Sequence, residues 1–272
     1  MTAIGAPRGA LEARAISTGY GDRLVLDDLS VAIAAGGITA LVGPNACGKS
    51  TLLRAMGRLL GLRAGDVLID GADVHRMPTR ELARRLGILP QAPVAPESIT
   101  VGDLVWRGRH PHQRFGTGLR RGGTTADREA VLDALLATGV EELIERRVDS
   151  LSGGQRQRVW ISLALAQQTP YLLLDEPTTY LDIAHQVEIL DLLVDLNRER
   201  GTTVLLVSHD LNQAARYADT LVALVDGVVA AHGRPADVLT PALVERVFGM
   251  RAVVAPHPVT GAPFVYPLGR HD

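Results

Sequence analysis

A chain of 272 residues, 46% of them hydrophobic, holds enough apolar surface for one large domain or two small ones. A formal charge of −2 and only 4% aromatic residues argue against a nucleic-acid partner, which asks for a basic face or base-stacking rings. Cys47 is the one cysteine, so no intrachain disulfide framework can form and a reducing compartment fits. The opening MTAIGAPRGALEARA lacks a basic start followed by an apolar run, and no window approaches ~18 uninterrupted apolar residues. Neither a signal peptide nor a spanning helix is expected, and the chain should be soluble alone, which leaves docking on a membrane protein open.

Residues 1–10 read as a frayed terminus. From Ala13 to Ala40 the pattern predicts short strands, with turns at Tyr20-Gly21-Asp22 and Ala35-Gly36-Gly37. Ile38 to Gly43 is a short apolar strand that runs into a glycine-containing loop. A helix follows, with Leu52, Leu53, Met56, Leu59 and Leu60 at helical spacing. Gly65 to Gly71 is a further strand closed by a turn. From about Thr79 to Gln168 the pattern is mostly helical, with a loop-like break at Arg107 to Thr125. Tyr171 to Asp175 and Thr202 to His209 are short continuous apolar runs, as strands buried on both faces of a parallel sheet require. The helix between them, roughly Ile183 to Arg200, completes a βαβ unit. Leu221 to Gly233 reads as a hairpin turning at Asp226-Gly227. After Pro241 come a helix and a hairpin-like PVTGAPFVYP. No internal repeat or low-complexity tract is apparent.

The one lysine among 28 basic residues, Lys49, lies in the loop after the third strand. Gly43, Pro44, Asn45, Ala46, Cys47, Gly48, Lys49, Ser50 and Thr51 match G-x-x-x-x-G-K-[ST], the phosphate-binding loop. A compact ammonium suits a loop wrapped round phosphates, where a planar guanidinium does not. The backbone N–H groups and the following helix N-terminus would bind β- and γ-phosphates, and the Ser50 hydroxyl would ligate Mg²⁺. A plain glycine-rich turn would not need the strand before it and the helix after it. Cys47, close to that helix start, could have a lowered pKa, although a small space-filling role is the simpler reading. Farther on, YLLLDEP sets Asp175 and Glu176 at the C-terminal end of a buried strand, the edge at which open α/β sheets bind ligands. Asp175 would hold Mg²⁺, and Glu176 would be the general base for an attacking water.

Leu151, Ser152, Gly153, Gly154 and Gln155, followed by a helix, resemble the signature of ABC-type ATPases. The resemblance extends from about Ala13 to the C-terminus. It implies a P-loop NTPase fold of the α/β class: a RecA-like parallel sheet core, an inserted helical subdomain and a small antiparallel β subdomain. It also implies one ATPase domain over 13–250, with the helical subdomain at about 95–160, and a short extension at 251–272. Its cofactors would be ATP and Mg²⁺, with ATP sandwiched between two head-to-tail copies so that each signature faces the other copy's γ-phosphate. By the same resemblance Tyr20 stacks on adenine and Gln91 reaches Mg²⁺ and water while sensing a transmembrane partner. Asp182 lies on the loop crossing the dimer interface, and His209, 33 residues after Glu176, is the switch histidine. One position departs from the pattern: Ala46 replaces a usual glycine, at a cost of roughly 1 kcal/mol if φ must be positive there.

DEPTTYLDIAHQVEILDLL, ITVGDLVWRGRHPHQ, HDLNQAARYAD and PVTGAPFVYPLGR are similar to the ATPase subunits of ferric-siderophore importers of the enterobactin type. That branch implies permease subunits, a periplasmic or lipoprotein binding protein engaged indirectly, and a peripheral location on the cytoplasmic side of the cell membrane. The stretch after Gln91 would help form the groove for the permease's coupling helix. Haem, cobalamin or another metal chelate is the alternative cargo. A soluble ABC ATPase acting on DNA or ribosomes is disfavoured, because Lys49 and Asp175 are 126 residues apart with no heptad run between them and there is one set of motifs. A non-catalytic module would be expected to lack Glu176 or His209, and an exporter half would carry a fused membrane domain.

Overall fold

Strand β1 (Ala10–Tyr20) first buries odd positions, Leu11 and Ala13, and then even ones, Ile16 and Thr18. A bulge explains the change of parity: the register with β2 (Arg23–Ala34) slips between Ala13 and Ile16, where Ala15 adopts φ 48°. The computed structural model describes residues 10–113 and 123–269. The chain divides into two compact units, Met1–Met77 with Gly201–Asp272, and Pro78–Arg200. Most of the frayed start and the centre of the 107–125 break expected from the sequence lie outside the described residues.

In the first unit β3 (Ile38–Val42) is buried throughout and delivers the chain to Gly43. Helix α1 (Lys49–Met56) follows. It is shorter than its leucine spacing predicts: Leu59 and Leu60 fall beyond Gly57, and Leu59 is exposed. Arg58 ends the helix in a left-handed conformation and donates to the carbonyls of Val74 and Met77. β4 (Ala64–Ile69) then pairs antiparallel with β1, and β5 (Ala72–Asp73) with β4, giving the order β2-β1-β4-β5. Gly65 faces the bulge so closely that a Cβ would lie 2.3 Å from the Ala15 carbonyl oxygen.

The second unit opens with α2 (Thr79–Arg85) and β6 (Leu86–Leu89). That strand corrects the mostly helical reading of 79–168. Four residues are too few to display a period, and β6 is fixed by parallel pairing with β7 (Tyr171–Asp175), Leu86 opposite Tyr171 and Leu89 opposite Leu174. Between them come α3 (Val101–Trp106), α4 (Thr125–Ala137) and α5 (Gly153–Ala166). Each begins at a hydroxyl cap, Thr100, Thr124 and Ser152, and the last two form reciprocal capping boxes with Asp127 and Gln155. These three helices pack on one another and bury Leu104, Val105, Val131, Leu135, Val159 and Ile161. An ion pair is buried among them: Arg109 Nε lies 2.9 Å from Asp127 Oδ1, with both side chains 6% exposed. After β7 the unit closes with α6 (Ile183–Arg200), at the bounds the sequence predicts.

Back in the first unit, β8 (Thr203–Val207) lies parallel to β3, Leu41 opposite Val207. Helix α7 (Leu211–Tyr217) leads to β9 (Thr220–Val225), which lies parallel to β3 on its other side. β10 (Val228–Gly233) pairs antiparallel with β9 through the expected Asp226-Gly227 turn, whose φ values of 47° and 78° suit a two-residue hairpin. The order here is β10-β9-β3-β8. Helices α8 (Pro235–Val238) and α9 (Pro241–Phe248) precede a two-stranded hairpin of β11 (Ala252–Pro256) and β12 (Pro263–Pro267).

Candidate nucleotide site

Parallel pairing of β3 and β8 brings their C-terminal ends to one edge of the first unit, so the loop after Val42 and the turn carrying His209 share that edge. Gly43 must be glycine: a Cβ would lie 2.2 Å from the Leu224 carbonyl oxygen. Gly48 holds φ 106° at the start of α1, and no acidic residue occupies that helix's first turn, leaving its positive end to a ligand. The Gly227 N–H donates to the Cys47 carbonyl at 3.0 Å and pins the loop from the β9–β10 turn.

Lys49 is 4% exposed, and its Nζ donates to the carbonyls of Gly43 and Pro44, each at 2.8 Å. Its ammonium thus lies inside the ring of the loop, where phosphate oxygens would be expected. Ser50 is half-buried, Thr51 buried, and Asn45 and Ala46 are exposed. Ala46 takes φ 61°, so alanine stands in the conformation that favours glycine. Cys47 departs from the lowered pKa the sequence suggests. Burial pushes its thiol up, and this outweighs the downward pull of Lys49. Tyr20, at the end of β1, is exposed, and its hydroxyl accepts from Arg54 of α1 at 3.1 Å, which ties the tyrosine to the helix that follows the loop.

In the second unit, pairing of β6 with β7 brings Gln91 and the Asp175-Glu176 pair to one edge. Asp175 is fully buried at the strand end. Glu176 is 9% exposed with φ 56°, and Thr179 Oγ1 donates to its Oε2 at 3.3 Å. The carboxylate is thereby fixed at a sharp turn, as a group required in one orientation should be. Gln157 Nε2 donates to the Pro177 carbonyl at 2.9 Å and joins the signature helix to this turn.

The Asp182 carboxylate accepts from the His185 N–H at 3.0 Å and meets His185 Nδ1 at 2.8 Å. These bonds hold its pKa below the usual carboxylate range. In the signature itself Leu151 is buried, Ser152 Oγ accepts from the Gln155 N–H, and Gln155 Oε1 accepts from the Ser152 N–H, both at 3.2 Å. A Cβ at Gly153 would meet Tyr180 Cβ at 3.7 Å and one at Gly154 would meet Leu181 at 3.5 Å, both ordinary contacts. The chain's own packing therefore does not demand these glycines.

Three contributors escape motif reading: Arg54, Gln157 and Gly227. Gly227 is legible as half of the Asp226-Gly227 turn but not as the group that pins the loop, and Gln157 leaves a trace as a polar residue on the same helical face as the buried Ile161 and Ala164.

A phosphate loop in one unit, paired carboxylates in the other and a capped signature helix are the parts of an ABC-type ATPase. Residues 26–179 match the ABC transporter family model, and the chain belongs to that family, whose ATP-binding subunits hydrolyse ATP. It is 49% identical over 260 residues to the ferric enterobactin transport ATP-binding protein of Escherichia coli (strain K12), covering 96% of this chain and 94% of that one. It is 47% identical over 261 residues to the petrobactin import ATP-binding protein FpuD of Bacillus anthracis, with 96% and 94% covered. Among solved structures, a metal-chelate type ABC transporter in an inward-facing conformation matches with TM-score 0.80 at 27% identity, covering 96% of this chain and 98% of that one. A bacterial ABC transporter cassette solved as a dimer matches with TM-score 0.72 at 29% identity, covering 82% and 98%. These likenesses bear out the P-loop NTPase fold. No helix among the described residues is long and apolar enough to cross a membrane.

Proposed function

We propose that this chain powers import of a ferric siderophore: a peripheral subunit on the cytoplasmic side of the membrane that dimerises head to tail and drives a permease by hydrolysing ATP. The cargo class is supported by the importer relatives named above. The dimer is supported by one observation in particular, the bare first turn of α5. Gly153 and Gly154 have room for a methyl group within their own chain, so an approach from outside the chain accounts for glycine there.

In this reading Lys49 and the loop N–H groups bind the β- and γ-phosphates, and Tyr20 stacks on adenine. Ser50, Asp175 and Gln91 offer hydroxyl, carboxylate and amide oxygens, the hard donors that suit Mg²⁺ carried on phosphate oxygens. Bound there, the ion would spread the charge that develops on the transferred phosphoryl group. Glu176 accepts the proton of the attacking water, Gln91 and His209 orient the reacting groups, and the partner copy's Ser152-Gly153-Gly154 turn closes over the γ-phosphate. Asp182 acts at the interface between copies. ATP-driven closure pulls the permease's coupling helices together, and hydrolysis releases them.

The test is uptake of radiolabelled iron on a panel of siderophores, in a host carrying either this chain or its Glu176→Gln variant. Uptake of one chelate, lost in the variant, is expected and would name the cargo. Equal uptake of every chelate in both hosts removes the siderophore reading, and labelled haem and cobalamin are then tried.

A further inference from the structure

We propose that Asn212 is a positioning residue through which the C-terminal hairpin holds the turn that carries His209. The inference rests on the role proposed for His209. Val265, in the middle of β12, is 2% exposed and sits opposite Val254 of β11. Its N–H donates to Asn212 Oδ1 at 2.7 Å, and its carbonyl accepts from Asn212 Nδ2 at 3.2 Å. A carboxamide offers a donor and an acceptor side by side, as a peptide group does. Asn212 therefore stands in for a neighbouring strand at the free edge of β12, and without it two buried backbone groups of Val265 lose their partner.

Asn212 is also the second residue of α7, two positions from the N-cap. Its own N–H and that of Gln213 donate to Asp210 Oδ1, at 2.8 and 3.0 Å. The Asp210 N–H donates to Ser208 Oγ at 3.2 Å, and that hydroxyl donates to the Asp210 carbonyl at 3.0 Å. The Ser208 N–H in turn donates to the Leu41 carbonyl of β3 at 3.0 Å, one residue before the strand's end. His209 thus lies in a two-ended clamp. One end is fixed to the strand that feeds the phosphate loop, the other to the hairpin through the first turn of α7. The hairpin is tied within itself: Phe264 packs against both His257 and Tyr266, with centroids 5.6 and 4.8 Å apart, and His257 Nδ1 accepts from the N–H groups of Val259 and Thr260.

The experiment measures steady-state ATP hydrolysis, binding of a fluorescent ATP analogue and thermal unfolding for the intact chain. The variants are His209→Ala, Asn212→Ala and Asn212→Asp, the last keeping the acceptor for the Val265 N–H and losing the donor. For Asn212→Ala, kcat is expected to fall roughly tenfold, the order expected of a displacement well under 1 Å. KM and analogue affinity should stay within about twofold, and the ¹³C-labelled His209 Cε1 resonance should shift or broaden. Asn212→Asp should fall in between. Wild-type kcat in Asn212→Ala overturns the proposal, and so does a parallel decline of kcat, analogue binding and melting temperature. If Asn212→Ala does not fold, Asn212→Asp decides by the same criteria. Wild-type hydrolysis by His209→Ala overturns the role of His209 instead, whatever the Asn212 variants do.

Discussion

Ala46 is the residue at which local conformation and side chain disagree most plainly. A φ of 61° costs an L-residue about 1–2 kcal/mol, and a glycine there would give back about 0.4–1 kcal/mol through its greater freedom in the unfolded chain. Ala46→Gly is therefore expected to stabilise the protein by roughly 0.5–1 kcal/mol, seen as a higher denaturation midpoint with unchanged slope. A lower midpoint would mean that the loop relaxes without strain. Lys49 makes a different prediction. Its ammonium donates to two carbonyls of its own loop, so it is held in place before any phosphate arrives. Lys49→Ala should weaken binding of a fluorescent ATP analogue by roughly 10- to 100-fold, the worth of one charge-assisted hydrogen-bond set. Unchanged affinity would refute the role given to it. Lys49, Asp175, Glu176 and the signature residues are proposed from sequence because each lies in a short contiguous motif whose residue types carry the expected chemistry. Arg54, Gln157 and Asn212 are not legible there, because each acts on a backbone or side chain made near only by folding.

Among the elements, the α3–α4–α5 cluster encloses a buried charge pair, Arg109–Asp127. Burial pushes the Asp127 carboxyl up, but hydrogen bonds from Arg109 and Thr124 outweigh it and bring the pKa below the usual carboxylate range. A depressed folded pKa means that the stabilisation is present above the unfolded pKa of about 4 and is lost as pH falls through the lower folded value. Asp127→Asn keeps one oxygen to accept from Arg109 Nε but removes the negative charge, leaving the buried guanidinium with neutral acceptors, that oxygen, the Ala166 carbonyl and Gln168 Oε1. It should cost about 3 kcal/mol, toward the lower end of the range for breaking such pairs. Thermal unfolding near neutral pH should show this loss. As pH falls below about 4 toward the lower folded value the gap between parent and variant should narrow, and a gap that stays constant on acidification would mean the pair is not the source of the difference. At this scale the sequence was informative where periodicity is long, as in α6, and where a turn has its own chemistry, as at Asp226-Gly227. It was uninformative for β6, whose four residues become a strand only beside β7. It also overextended α1, since the spacing of Leu59 and Leu60 continues past the turn at Gly57 and Arg58.

For the whole molecule, the decisive state is the pair of copies. Removing the base while keeping the shape should stall the cycle after closure, so Glu176→Gln with ATP and Mg²⁺ is expected to elute as a dimer on size exclusion. The parent should return to monomer as it hydrolyses. A variant that stays monomeric at saturating nucleotide would count against the sandwich. Gly153→Ala should weaken that dimer while leaving the monomer folded, because its one added methyl group would meet Tyr180 Cβ of its own chain at an ordinary 3.7 Å.

What the sequence determined by itself was the motifs and their order: a G-x-x-x-x-G-K-[ST] loop between strand and helix, a carboxylate pair at a strand end, a signature at a helix start and a histidine after the next strand. Each is a local pattern in which residue type and spacing carry the physical requirement. What only the tertiary structure decided was which distant groups support those patterns: the Arg109–Asp127 pair, the Gln157 bond to Pro177, the glycine opposite the β1 bulge and the Asn212 clasp on β12. These depend on satisfying buried polar groups and backbone edges with whatever the fold brings near, and no spacing along the chain records that.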